Sequence, residues 1–183
     1  MKKRIRQRLM TFGEYCMLYA NGAIANHAEL MASAPKPQKL CGRYLPKSLD
    51  NMTMGTLAEV MIVKEDTKLL TTIYNVTTSE LMTEWAIDVL GTLRWTAEEL
   101  KRITDLFSQL ERELTADEIM AGAEQMKGDI FTTADWFFRY SNGKYTHDEV
   151  MRVPWIIVWR CARDSQQREE YRQRLHNIQS KKR

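Results

Sequence analysis

The side chains able to carry metal or acid–base chemistry are few and scattered. His27, His147 and His176 are the three histidines, the usual zinc ligands and proton shuttles. None stands four residues from another histidine or from a cysteine, so no zinc-binding spacing arises. Cys16, Cys41 and Cys161 are odd in number and far apart, with no CxxC pair. They read as free thiols of a reducing compartment. Asp66, Glu80, Asp88, Glu99, Asp129, Asp135 and Asp148 are scattered, and most are explained as helix caps or first-turn acids, where the helix dipole favours negative charge. Neither a GxxxxGKS/T nor a GxGxxG phosphate loop occurs, and there is no GxSxG nucleophile elbow. The expectation is therefore a protein with no catalytic residue, no metal ligand and no cofactor, and not an enzyme.

The chemistry with a pattern is cationic and aromatic. Trp155, Arg160, Arg163, Arg168, Arg172 and Arg174 fall within twenty residues, and they are the expected partner-binding residues. Arginines in this order can hold phosphates without reading sequence. The turn at Val153-Pro154 between a short and a long helix loosely suggests helix-turn-helix order. Against specific readout, the second helix opens Trp-Ile-Ile-Val-Trp, which offers no polar group to a base edge. Trp155 and Trp159 are four residues apart and share a helix face. Trp159 is expected in the core, and Trp155, in the first turn after proline, at the rim as an anchor for a partner.

These residues need helices to position them. Thr146 and Glu149 have capping-box spacing and open a helix to about Arg152. Val153 precedes proline and is pushed toward extended geometry. Pro154 then suits the first turn of a helix running from Trp155 to about Ile178. Its first half is apolar on most sides; its second half keeps only Tyr171, Leu175 and Ile178 at i, i+4, i+7. Thr11/Glu14 and Thr77/Glu80 are further capping boxes, the second opening a helix that Gly91 is expected to end. Thr53, Thr67, Thr96, Thr115 and Thr132 or Thr133 mark other helix starts. A short helix is expected from about Ala23 to Ser33. Pro35, Pro37, Gly42 and Pro46 make 34–52 irregular, with room for a short hairpin there or at Asn142-Gly143. No repeat of one fixed period is found.

Net charge is +3, but unevenly spread. Residues 1–9 carry five basic groups and no acid; residues 152–183 carry nine basic and three acidic; residues 10–151 are left with 13 basic and 21 acidic. Basic ends around an acidic middle suit an acidic partner, nucleic acid, or a neighbouring copy. No apolar run reaches the length of a signal peptide core or a membrane span.

Two segments resemble small structural or assembly proteins encoded among the head–tail genes of tailed bacteriophages of gut Bacteroidales. One is Met52-Thr53-Met54-Gly55-Thr56-Leu57-Ala58-Glu59, with Leu69 to Val76 and Trp95 to Phe107. The other is Gly128 to Phe131 through Trp136-Phe137, then Val150 to Trp159 and Glu170 to Leu175. The resemblance covers a little over half the chain, carries over no individual functional residue, and leaves out the first 50 residues. It implies a non-enzymatic, mostly helical virion protein, made in the host cytoplasm, whose partners are other virion proteins and copies of itself. A subunit of a head–tail connector (neck ring) or tail is the expected function. A tail-assembly chaperone is one alternative, and a helical DNA-binding regulator, with non-specific nucleic-acid contact, is another.

The expected fold is all-α. It comprises an N-terminal helical arm (1–33), an irregular hinge loop (34–52), a compact multi-helix body (53–160) and a basic C-terminal helix extension (161–183).

Overall fold

The computed structural model describes residues 10–110, 116–122, 130–141 and 144–181. Among them the fold is all-α apart from one hairpin. The helices are α1 (Phe12–Ala20), α2 (His27–Ser33), α3 (Met54–Ile62), α4 (Asp66–Tyr74), α5 (Thr78–Thr83), α6 (Ala86–Ser108), α7 (Ala116–Met120), α8 (Ile130–Tyr140), α9 (His147–Arg152) and α10 (Trp155–Ser180). Strands β1 (Lys39–Leu40) and β2 (Arg43–Tyr44) pair antiparallel. Cys41 and Gly42 turn between them at positive φ, the geometry that two-residue hairpins need. No helix among the described residues is long and apolar enough to cross a membrane.

Local side-chain caps set four of the described helix starts. Thr11, Thr77 and Thr146 each accept the backbone N–H of the glutamate three residues on, whose carboxylate accepts the threonine N–H in return. That reciprocity satisfies two backbone donors the helix leaves free. Thr53 Oγ1 accepts from Thr56 N at 3.1 Å. Asn75 ends α4 in the left-handed conformation. Thr115, Gly128, Asp129, the Asn142-Gly143 turn and the basic residues of 1–9 lie outside the described residues.

Two helices begin and end elsewhere than the sequence predicts. The helix opened by Thr77 stops at Thr83 rather than at Gly91. Glu84 is extended, and its carbonyl accepts from Phe12 N while Ala86 N donates to Met10 O. A short strand-like bridge, Thr11 to Trp85, thus replaces the next helical turn. The following helix then runs through Gly91 and Thr96. Gly91 does not cap because a backbone lies against it: a Cβ added there would meet Pro35 O at 1.9 Å. Thr96 is fully buried and bonds Tyr74 Oη at 2.7 Å.

The chain forms two compact units. Unit 1 holds residues 1–49 and 59–102, and unit 2 holds 50–58 and 103–183. Helices α3 and α6 contribute residues to both. The expected arm, hinge and body do not describe this grouping. Phe12 and Tyr15 of α1, with Ala34 and Leu40 of the loop, are buried in one core with Leu70, Val76, Leu81, Ala86, Val89, Leu90 and Leu93. Apolar side chains at the arm and loop positions have water to escape, and that core receives them. In unit 2 the buried set includes Met54, Leu57, Ile103, Ala134, Phe137, Val150, Trp155, Val158 and Trp159.

The two units repeat one arrangement. Met10-Thr11-Phe12-Gly13 in unit 1 corresponds to Met52-Thr53-Met54-Gly55 in unit 2. Thr77-x-x-Glu80-Leu81-Met82 corresponds to Thr146-x-x-Glu149-Val150-Met151. The hydrogen bonds correspond as well. Phe12 N donates to Glu84 O (2.8 Å) as Met54 N does to Val153 O (2.9 Å), and Ala86 N donates to Met10 O (2.9 Å) as Trp155 N does to Met52 O (3.0 Å). Thr53 bridges Pro154 as Thr11 bridges Trp85. A Cβ at Gly13 would stand 3.1 Å from Met82 O, and one at Gly55 would stand 3.1 Å from Met151 O. Glycine lets the first helix approach the short helix's backbone in both units. The paired segments are 42 residues apart at one end and 69 at the other, so a search for one fixed period does not meet them.

Candidate interaction surface

The expected partner-binding residues all lie on α10, whose start is fixed by unit 2's version of the shared arrangement. Val153 is extended and Pro154 has φ −54. The bridge to Thr53 covers the first turn. Trp155 is consequently 0% exposed, its ring 5.9 Å from that of Phe107. This corrects its assignment as a rim anchor: the turn after proline is covered by the strand-like segment at Met52-Thr53, which the sequence pattern does not announce. Trp159 is buried as expected, and its indole N–H donates to Leu106 O at 2.7 Å.

Arg160, Arg163, Arg168, Arg172 and Arg174 are all exposed. Arg163 stacks its guanidinium over the Trp159 ring at 5.2 Å, a cation–π contact that ties it to the helix. Arg172 approaches Glu169 at 3.7 Å. The five arginines spread over roughly half of the helix circumference at 3.6 residues per turn. The feature missed by reading the arginines alone is apolar: Ile157 (44% exposed), Tyr171 (60%), Leu175 (40%) and Ile178 (54%) lie in one line, with half-buried Cys161 between. Burial, and then the nearby Asp164 carboxylate, raise the Cys161 thiol above its ordinary value. The spacing of this line was legible as the stripe Tyr171, Leu175, Ile178; its extension back to Ile157 needed the burial of Val158 and Trp159 on the other side.

Unit 1 shows what the same helix face does elsewhere. Both long helices are continuous, so residue n of α6 and residue n + 69 of α10 point the same way from the shared arrangement. In unit 1 Pro35, Lys36 and Leu49 meet the face of α6 that carries Gly91, Trp95 and Glu99. Pro35 O sits against Gly91. Lys36 Nζ lies 3.3 Å from the centroid of the Trp95 ring and donates to Pro46 O at 2.7 Å. Leu49 N donates to Glu99 at 2.9 Å, and Arg102 pairs with the same carboxylate at 2.8 Å. The matching positions on α10 are Arg160, Asp164 and Arg168, and all three are exposed.

Other polar contacts among the described residues are pairwise. His147 Nε2 pairs with Asp135 at 3.2 Å on the surface. Tyr15 Oη and His27 Nδ1 share a hydrogen bond of 2.5 Å. Glu84 accepts from Cys41 N at 2.7 Å, and burial followed by the Glu84 and Glu80 charges pushes the Cys41 thiol up to about 11. Tyr74, mostly buried, rises to about 12. Among the described residues no three His, Cys, Asp or Glu side chains stand close enough to hold a metal.

In comparisons with known proteins, no family model, no curated protein and no solved structure matches the chain.

Proposed function

We propose that this protein is a structural or assembly subunit of a tailed-bacteriophage particle, acting as part of a head–tail connector or tail and binding its neighbours through α10. The observation that carries the reading is the open face of α10, where unit 1 covers the same face with its own chain. An uncovered line of apolar residues on a long helix is an association surface rather than a reaction site. The basic residues around it suit the acidic surfaces of neighbouring subunits, with charge complementarity setting orientation. The resemblance of segments within residues 52–107 and 128–175 to head–tail proteins points the same way.

A tail-assembly chaperone is the second reading. It is favoured by the exposed Met17 and Met120, because methionine surfaces adapt to several partners. Mass spectrometry of purified particles separates the readings. A connector or tail subunit is present in fixed proportion to the other virion proteins. A chaperone is abundant in the infected lysate, bound to tail components, and missing from particles. Absence from both overturns the particle reading, and a sequence-dependent DNA mobility shift would replace it with a regulator.

A further inference from the structure

The line of exposed side chains on α10 continues without a break. Ile157, Cys161, Asp164, Arg168, Tyr171, Leu175 and Ile178 are spaced alternately four and three residues apart, the a/d spacing of a two-helix seam. Val158 and Trp159, both buried, point to the opposite side, so among the described residues the seam is exposed at Ile157 and at Asp164, Arg168, Tyr171, Leu175 and Ile178, with Cys161 half-buried. Asp164, Gln167, Arg168 and Tyr171, with Arg172, line a surface depression. The first four stand at i, i+3, i+4 and i+7, which is the set that forms a hole for a knob from a facing helix.

From this we infer that α10 pairs antiparallel with α10 of a second copy of this chain. The charges decide the occupant and the direction. Paired parallel and in register, the seam would set Asp164 against Asp164 and Arg168 against Arg168. Paired antiparallel about Gln166, it sets Asp164 against Arg168 of the second copy, and Arg168 against Asp164 of the second copy. The same centre places Cys161 opposite Tyr171, Ile157 opposite Leu175, and Pro154 opposite Ile178. Every apolar residue of the exposed end therefore meets an apolar or aromatic partner near the body of the other copy. The contact is isologous, as a twofold dimer requires, and spans roughly 36 Å of helix at 1.5 Å per residue. Arg160 and Arg174 meet like with like at its flanks, so the association is reversible and concentration-dependent. This inference concerns the isolated chain and stands apart from the particle reading. A monomer could still join a virion, and a dimer need not.

The test uses the full chain. Light scattering should show the mass rising with concentration from the 21.5 kDa subunit toward twice that value. Leu175→Glu should weaken the dimer by at least about tenfold, because it buries an unpaired charge in the seam. It should leave the melting curve of the monomer unchanged, since Leu175 is exposed. Asp164→Arg alone should weaken it likewise, and the double variant Asp164→Arg/Arg168→Asp should restore it, which a parallel pair would not do. Under a mild thiol oxidant such as copper phenanthroline, Tyr171→Cys should form a disulfide mapped between Cys161 and position 171 of two chains. A chain that stays monomeric up to its solubility limit overturns the inference. So do a dimer indifferent to Leu175→Glu and the double variant, and a wild-type chain that cross-links Cys161 to Cys161.

Discussion

In unit 1 the face of α6 bearing Gly91, Trp95 and Glu99 is met by Pro35, Lys36 and Leu49, and in unit 2 the matching positions on α10 are exposed among the described residues. The two units otherwise share their framework down to individual hydrogen bonds. What they keep is the part that backbone geometry demands: a glycine where two backbones meet, a threonine–glutamate cap, and the pair of bonds that joins residues 10–12 to 84–86 and residues 52–54 to 153–155. What they exchange is volume. Unit 1 puts its aromatic rings on the first helix, Phe12 and Tyr15, opposite a buried Ala86. Unit 2 puts smaller Met54 and Leu57 there and the large ring at Trp155. Cores accept such exchanges when total volume and pattern are preserved. The covering chain is the real divergence, and it turns one long helix into scaffold and the other into surface.

The largest break of this comparison is to undo the exchange of volume. Trp155→Ala, which copies the residue of unit 1 into unit 2, should cost about 3–5 kcal/mol, the range for a fully buried aromatic. Ala86→Trp should cost about 1–3 kcal/mol or more by overpacking. Thermal melts of both variants check this, and a Trp155→Ala protein that melts like the parent would mean that the ring is not core. Next comes the covered face. Gly91→Ala drives a Cβ into the Pro35 carbonyl and should destabilise by roughly 1–3 kcal/mol, as overpacking does. Its counterpart Arg160→Ala should stay within about 0.5 kcal/mol, as exposed substitutions do. Equal effects in denaturant titrations would show that residues 35–49 do not hold that face.

The smallest effect is shared. Backbone and side-chain hydrogen bonds from Thr77 hold Glu80 below the usual carboxylate range, and those from Thr146 do the same for Glu149. A carboxylate whose folded pKa is depressed stabilises the fold above its ordinary pKa and loses that contribution as pH falls through the folded value. Stability should therefore decline below the usual carboxylate range. Glu80→Gln and Glu149→Gln should each flatten that decline by a similar small amount, since both carboxylates lie at the surface, where solvent screens them. Melting temperatures measured as a function of pH read this out, and a large difference between the two variants would show that the caps are not equivalent.

The sequence by itself determined what depends on neighbours along the chain. The threonine–glutamate caps are visible because their partners are three residues apart. Pro154 breaks unit 2's helices because proline lacks the N–H and constrains the residue before it. The stripe Tyr171, Leu175, Ile178 follows from the helical period. Only the tertiary structure decided the rest. The break at Glu84-Trp85 has no proline to announce it, and arises because Phe12 and Met10 take those backbone groups. Gly91 reads as a helix end, yet it is a helix interior kept bare for a carbonyl 56 residues earlier. Trp155 reads as a rim residue, yet it is core because Met52-Thr53 closes over the first turn. In each case the deciding partner is distant in sequence, and residue type carries no record of which distant backbone will arrive.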